Sequence, residues 1–297
     1  MHDSIAVAMS GGVDSSVAAW LLRQQGEQAV GVTMRLFVPE DLAPGQREQC
    51  HILEDLQDAQ TVAGQLGIPH HTLDLSGPFQ EQVMEPFVQA YEQGRTPNPC
   101  VTCNRTIKFG ALLEAAGQLG CGRLATGHYA RTERDTGSGR VLLKRAVHPE
   151  KDQSYVLWSL SQAQLERVCF PLGGLSKEEI RAIAEEQGLV SARRWDSQDI
   201  CFVPDGDYAA FLCHHTGRTY SPGPFCDPEG RVLGVHEGII HYTVGQRRGL
   251  KVSSNQGRLY VKELCPQENR VILSDNQALF HRGLTGKELN LIPTERL

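Results

Sequence analysis

The stretch Ala8-Met9-Ser10-Gly11-Gly12-Val13-Asp14-Ser15-Ser16 constrains this chain more than any other segment. It follows an apolar run, Ile5-Ala6-Val7, and leads into an apolar-periodic segment, Val17 to Leu22. That order predicts strand, glycine turn and helix, with backbone N–H groups and the positive helix end aimed at one point. Such a point binds phosphate. A Walker-type loop would carry a lysine before the Ser/Thr, and none stands here. A bare strand-to-helix turn, with glycine for tightness and aspartate as a cap, satisfies the same pattern without a ligand.

With 297 residues the chain exceeds the usual single-domain size, so two or three domains are expected. Hydrophobic content of 40% supplies ample core material. No run approaches the length of a membrane span, and Met1-His2-Asp3 leads directly into the first strand without a secretory signal. Nine cysteines in that context predict a reducing, cytoplasmic setting, with thiols kept for chemistry or packing. A net charge of −6 argues against binding nucleic acid through bulk charge. A local basic surface still suffices for RNA, and Gln246-Arg247-Arg248-Gly249-Leu250-Lys251 with Arg258 offers one; a solvated charged loop is the plainer reading.

Strand and helix patterns alternate at first, which predicts a parallel sheet with helices on both faces. Ala29 to Met34 reads as the second strand, buried on both sides. Val38 to Gln46, with two prolines, a glycine and charges, reads as a mobile loop. Ile52 to Leu66 has helical spacing and Gly67 caps it; Thr72 to Leu75 is a strand, and Val83 to Tyr91 a helix closed by Gly94. Leu124-Ala125-Thr126 is a strand delivering Gly127-His128-Tyr129 at its C-terminal end, where ligands gather in open α/β sheets. Ala130–Arg134 and Arg140–Arg145 make a hairpin, and Ser176-Lys177-Glu178-Glu179 is a capping box opening a helix that Gly188 stops. Past about residue 212, strands at 231–233, 239–244, 258–264 and 270–273 predict small β-rich modules.

Thr96-Pro97-Asn98-Pro99-Cys100-Val101-Thr102-Cys103-Asn104-Arg105 is the second informative segment. Its prolines hold the chain extended, and the helix patterned by Ile107, Leu112, Leu113 and Ala116 begins near Cys103. A thiol in an exposed loop at a helix N-terminus, with Arg105 and Lys108 nearby, favours its thiolate. Downstream, Asp196-Ser197-Gln198-Asp199-Ile200-Cys201-Phe202 follows the basic pair Arg193-Arg194 and precedes a strand-like apolar stretch. Alone, Cys201 reads equally well as a core residue.

Ser-Gly-Gly-x-Asp-Ser resembles the PP-loop of ATP pyrophosphatases, which cleave ATP to AMP and pyrophosphate. Four further blocks occur with it and in order: Thr-Pro-Asn-Pro-Cys-x-x-Cys-Asn with Ile107-Lys108-Phe109-Gly110, Lys151-Asp152-Gln153-Ser154-Tyr155, Asp-Ile-Cys-Phe, and Tyr242-Thr243-Val244-Gly245-Gln246-Arg247-Arg248-Gly249-Leu250. Together they resemble the tRNA-specific 2-thiouridylase family over nearly the whole chain. The resemblance implies an α/β fold: a doubly wound parallel sheet of the PP-loop, adenine nucleotide alpha hydrolase-like type in 1–210, a small β-rich central domain in 211–275, and a truncated C-terminal β-barrel beginning at 276–297. It implies ATP contacts by Ala8, Met9, Ser10, Gly11, Gly12, Val13, Asp14, Ser15, Met34 and Gly127, with Mg²⁺ helped by Asp14. On the residues alone, Met34 reads as core packing or as a surface for adenine.

By the same resemblance Cys103 is the nucleophile and Cys201 carries a persulfide received from a sulfur carrier or cysteine desulfurase. The two end as a disulfide that a reductant reopens. Asn98, Pro99 and Cys100 match the target-base contact, and His128, Lys151, Asp152 and Gln153 match tRNA contacts, in tRNAs decoding Lys, Glu and Gln. Without that context Lys151 to Gln153 is an exposed polar turn. Two departures stand out. Cys100 occupies a place where some relatives have an aspartate, so Cys100, Cys103 and Cys201 could instead hold an iron–sulfur cluster. The chain also runs shorter than the family usually does, which leaves room for an RNA-binding or sulfur-carrier remnant. An amidotransferase-type synthetase would need an ammonia-delivering domain, for which no segment is visible.

Overall fold

The computed structural model describes residues 4–194, 199–252 and 257–295. Asp196, Ser197 and Gln198 of the Cys201 block, Met1 to Asp3, and Arg296-Leu297 lie outside the described residues. The strands are β1 (Ser4–Ala8), β2 (Ala29–Arg35), β3 (His70–Asp74), β4 (Cys121–Thr126), β5 (Ala130–Arg134), β6 (Val141–Arg145), β7 (Val168–Cys169), β8 (Gly223–Cys226), β9 (Val232–His236), β10 (Tyr260–Cys265) and β11 (Arg270–Ser274).

Five of them form one sheet in the order β3-β2-β1-β4-β7, every neighbour parallel. Ala8 sits beside Val32 on one side and Thr126 on the other, so β1 is the centre of the sheet. Ile5, Ala6 and Val7 have no exposed surface, which is why the strand is apolar without alternation. Ala6 faces a cluster with Val32, Phe79 and Phe87; Ile5 and Val7 face the opposite one, with Val17, Leu22 and Ile180. Crossovers run one way from β1 to β3 and the other way to β4. The strand order therefore reverses at β1, and the crevice past its carboxyl end is where this topology holds ligands.

The loop expected at Val38 to Gln46 is built instead of two short helices, Pro39–Asp41 and Pro44–Arg47. Leu42 and Gln46 are fully buried there, and the Gln46 amide donates to Asp205 Oδ1 (2.8 Å) and the Asp207 carbonyl (3.0 Å). Turn-forming residues mark such a segment as irregular but do not say whether it is anchored. The strand expected after Cys201 is also absent: Phe202 and Val203 are buried in a turn that the Val203 N–H closes on the Ile200 carbonyl (2.8 Å). Phe202 meets Phe79 and Phe87 edge-on, with centroids 5.7 and 5.3 Å apart, geometry that favours aromatic pairs.

The second sheet has the order β10-β11-β8-β9. Ile239 to His241, expected within a strand, is a single 3₁₀ turn that buries both isoleucines. Strands β7 and β8 escaped the sequence reading, being two and four residues long. Beyond Ser274 no strand occurs among the described residues. That segment folds back on the β5–β6 hairpin, where the Arg140 guanidinium donates to the Leu291 and Ile292 carbonyls. No helix among the described residues is long and apolar enough to cross a membrane.

Removing the ring at the centre of the aromatic cluster leaves a cavity. Phe87→Ala should destabilise the protein by about 3–5 kcal/mol and lower its thermal midpoint by roughly 10 °C. Calorimetry checks this, and a shift under about 2 °C would contradict it.

Candidate active site

The glycine loop is shaped by two places where no side chain fits. Gly11 has φ of +76°, and a Cβ there would stand 2.4 Å from the Asp55 carbonyl oxygen at the start of helix Ile52–Leu66. Gly127, just past β4, has its missing Cβ only 2.8 Å from Ser15 N. Strand end and helix end thus touch backbone to backbone across the topological switch point. The first helix, Val13–Gln24, starts at Gly12 with no side-chain cap, so its first N–H groups remain available to a ligand. Within the loop the Ser10 N–H donates to Ser15 Oγ (3.1 Å), while the Ser15 and Ser16 hydroxyls donate to the Gly12 carbonyl (3.1 and 2.9 Å). Met9 and Val13 are buried, with the Met9 sulfur lying over Gly31, so they can offer a ligand only backbone. Met34 is half-buried against the core at the end of β2.

Asp14 is already engaged. Lys177 Nζ lies 2.7 Å from Asp14 Oδ1, and the Tyr129 hydroxyl donates to the same oxygen at 2.8 Å. Asp14 Oδ2 has no protein partner among the described residues. Lys177 is 7% exposed, and its partner's charge makes that burial tolerable. Tyr129 is held in turn by Gln153: the Gln153 side-chain oxygen accepts the Tyr129 N–H (2.9 Å), and the Gln153 N–H donates to the Tyr129 carbonyl (2.8 Å). Asp152 accepts from the Ala146 N–H (2.8 Å) and the Ser154 hydroxyl (2.7 Å). Sequence reasoning missed Lys177 and Tyr129. The capping box marked where the Lys177 helix begins but not that its first side chain turns inward.

Cys103 departs from expectation. The helix starts at Pro99, with Asn98 Oδ1 capping the Cys100 N–H at 3.1 Å, so Cys100 occupies the first turn and Cys103 the last position of helix Pro99–Cys103. Asparagine is a strong cap and proline suits the first helical position, a signal that the apolar periodicity had masked. Cys103 is only 7% exposed. Burial pushes its thiol pKa up, Lys108 pulls it back, and a charge on Cys100 would push it further up. Cys201 is exposed to solvent. Its pKa is pushed up to about 12 by desolvation first, then by Cys103 and Cys100, against Lys108. Each thiol therefore lies within the electrostatic reach of the others. All nine cysteines are free thiols, so the Cys103–Cys201 disulfide is not a feature of this structure.

Among the described residues no group of three or more His, Cys, Asp or Glu side chains is placed to hold a metal ion. Cys100, Cys103 and Cys201 as they stand do not make the ligand set of a cluster.

The remaining residues divide by exposure. Asn98, Cys100 and Gln153 are exposed, Pro99 is buried, and Lys151 is half-buried. His128 is buried: its Nδ1 lies 2.7 Å from Thr126 Oγ1, and its ring meets Phe109 and Phe170 with centroids 5.9 and 6.1 Å apart. Desolvation and the Lys108 charge hold its pKa well below the usual histidine range, so the ring is neutral. Arg247, Arg248 and Arg258 are exposed, while Lys251 pairs with Glu237 at 2.6 Å. A cleft of about 380 Å³ is lined by Thr96, Pro97, Ile200, Tyr208, Thr243 and Gln246.

Residues 3–205 match the family model described as the tRNA methyl transferase HUP domain, and 209–275 match the tRNA methyl transferase PRC-barrel domain. The chain is 48% identical over 298 residues to a tRNA-specific 2-thiouridylase MnmA 2 of Thermoanaerobacter sp. (strain X514), covering 100% of this chain and 82% of that protein. It is 42% identical over 297 residues to a tRNA-specific 2-thiouridylase MnmA of Clostridioides difficile (strain 630), with the same coverage of 100% and 82%. A third relative, a tRNA-specific 2-thiouridylase MnmA of Trichlorobacter lovleyi, is 48% identical over 290 residues, covering 97% of this chain and 78% of that one.

Gly127→Ala would drive a methyl group against Ser15 and the Asp14 carbonyl carbon, spreading the loop from the strand. Nucleotide affinity measured by titration calorimetry should fall at least about tenfold, as expected when phosphate-binding N–H groups lose alignment. Wild-type affinity in this variant would contradict the assignment of the pocket.

Proposed function

This chain belongs to the family of tRNA-specific 2-thiouridylases, and from that premise we propose that it replaces the C2 oxygen of the wobble uridine of tRNA with sulfur. The observation that carries the reading is a shared wall. Gly127 touches the glycine loop, and the next residue, His128, packs its ring on Phe109 of the helical segment that continues from Cys103. A nucleotide on the loop and a pyrimidine beside the thiols would then meet across it.

The chemistry needs both halves. A uridine carbonyl oxygen is a poor leaving group. Transfer of AMP from ATP to that oxygen, with release of pyrophosphate, turns it into a good one. The glycine loop holds the phosphates through backbone N–H groups. A Mg²⁺ ion held by Asp14 and the phosphate oxygens would offset phosphate charge there, and a single carboxylate with one free oxygen suits an ion that keeps much of its own hydration. Lys177 and Tyr129 hold that carboxylate in place. Met34, at the end of its strand, offers an apolar surface to adenine.

Sulfur arrives on Cys201 as a persulfide from a carrier protein or a cysteine desulfurase. Its terminal sulfur attacks C2 and AMP departs. The Cys103 thiolate then attacks the Cys201 sulfur, breaking the S–S bond, leaving the new sulfur on C2 and forming a Cys103–Cys201 disulfide. Two electrons from an external dithiol reopen it, which suits a reducing cytoplasm. Asn98, Pro99 and Cys100 lie one helical turn from the nucleophile and border the target base; Lys151, Asp152 and Gln153 meet the tRNA backbone, Gln153 also fixing Tyr129. We read His128 as the floor under these contacts rather than a direct one, and the substrates as tRNAs decoding Lys, Glu and Gln. Residues 1–210 make the catalytic domain, 211–275 a β-rich module presenting Arg247 and Arg248 to RNA, and 276 onward the start of a third module.

The test is to supply ATP, a persulfide donor and unmodified tRNA, then to quantify 2-thiouridine by nucleoside mass spectrometry. Cys103→Ala and Cys201→Ala should each lower thiolation at least about 100-fold while keeping ATP and tRNA binding. Full sulfur transfer by either variant would overturn the assignment. Because burial raises the pKa of the Cys103 thiol, the wild-type rate should climb as pH rises through the alkaline range.

A further inference from the structure

Directly after Cys103 the helix changes register. Asn104–Ala111 is a π-helical segment, and the Leu112 N–H that follows reaches back five residues, to the Ile107 carbonyl. In an α-helix residues five apart point to different faces; where the hydrogen bonds span five residues the turn is wider and brings them nearer to one side. Lys108 stands five residues after Cys103.

Three features of this stretch are locally unfavourable. The π geometry is rarely adopted. Asn104 is 1% exposed, and its Oδ1 has no hydrogen-bond partner among the described residues although its Nδ2 donates to the Val156 carbonyl at 3.1 Å. Lys108 is half-buried and, among the described residues, has no carboxylate partner. Lys144, Lys177 and Lys251 by contrast each have one. Local costs that gather beside a reactive group are the usual mark of a functional demand. The surroundings say what the ammonium faces. Its neighbour Phe109 packs on the His128 ring, which places this segment against the strand end bearing Gly127. The charge of Lys108 acts on Cys103, Cys201 and His128 alike.

We propose that Lys108 is a positioning residue for the sulfur chemistry, swung by the π-turn onto the Cys103 side of the helix so that its ammonium stabilises anionic sulfur on Cys103 and Cys201. The proposal rests on the reading of those two cysteines as the sulfur-handling pair. Lys108 opposes burial, which favours the neutral thiols, and opposes the mutual repulsion of Cys100, Cys103 and Cys201 when more than one is charged. His128, being neutral, adds no competing positive charge. When Cys103 loses its proton to water, or when Cys201 carries a persulfide anion, the nearby ammonium offsets the new charge without any solvent having to reorganise. A lysine with no carboxylate partner among the described residues suits this task.

The test is the pH profile of alkylation of Cys103 and Cys201 by iodoacetamide, read peptide by peptide in the full chain without tRNA. In Lys108→Met the Cys103 rate at mildly alkaline pH should fall about tenfold, the profile moving to higher pH with its plateau intact. Lys108→Arg, which keeps the charge, should stay within about threefold of wild type. In thiolation assays Lys108→Met should lower kcat and leave KM for tRNA nearly unchanged. A profile that does not move in Lys108→Met would overturn the proposal. So would a loss of equal size at every pH, which signals altered access, or a rise in KM for tRNA alone, which signals a phosphate contact. If Cys103→Ala retained full thiolation, the functional reading would fail by itself, and the alkylation profile would still decide whether Lys108 acts on the thiols.

Discussion

Between the end of β4 and the start of the first helix there is no room for a methyl group, and the arrangement of the whole site depends on that contact. Gly127 lies against Ser15 and Asp14 so closely that the two backbones become one wall. A parallel sheet whose order reverses at β1 leaves a crevice there in any case. Filled by a side chain, the crevice would be an ordinary core. Left bare, it sets the helix N-terminus open on one side of the wall and delivers His128 to the other. From His128 the path runs through its buried ring and that of Phe109 to the helical segment that continues from the Cys103 helix.

Around that contact two kinds of electrostatic holding are at work. On the nucleotide side a buried ion pair, Lys177 with Asp14, is tied by Tyr129 and then by Gln153 to the segment read as touching tRNA. Gln153 and Asp14 are thus linked through Tyr129, which bonds to one by its backbone and to the other by its hydroxyl. On the sulfur side the holding is by burial. Cys103 and Cys201 are kept as neutral thiols, chemically quiet toward oxidants, and the Lys108 field limits how far that protection goes. Quiet thiols beside a fixed cation suit an enzyme that must not spend its nucleophile before an activated base arrives.

How much of this was legible in the sequence follows from which physical signals are local. The glycine loop, the Gly67 cap, the hairpin and the Ser176 capping box are written in a few adjacent residues, and each stands where the pattern placed it. Burial of β1 on both faces was legible because three consecutive apolar residues allow little else. What failed was long-range. Val38 to Gln46 has loop composition, but the anchor that orders it is Asp205, far off in sequence. Ile239 to Val244 has strand composition, yet its two isoleucines are buried by a 3₁₀ turn. Cys103 looked exposed because Asn and Pro surround it; those residues cap and start the helix, and the turn they make tucks the thiol inward. Lys177 and the π-turn left no signal at all, since one is an inward rotamer and the other a register change without a distinctive composition.

Those two silent features carry the same physical argument. A buried lysine is tolerated at Asp14 because a carboxylate meets it, and a half-buried lysine is tolerated at Lys108 without one. Lys177 is nearly fully buried and needs that carboxylate, whereas Lys108 is half-buried and has none among the described residues. The π-turn keeps the charge on the side of two thiols that burial holds neutral. Of the three local features gathered beside Cys103, the Lys108 charge is the one that gains a partner when negative charge develops on sulfur. A site whose cation is met by charge formed in its own chemistry binds the reacting state better than the resting one, which is the condition for lowering a barrier.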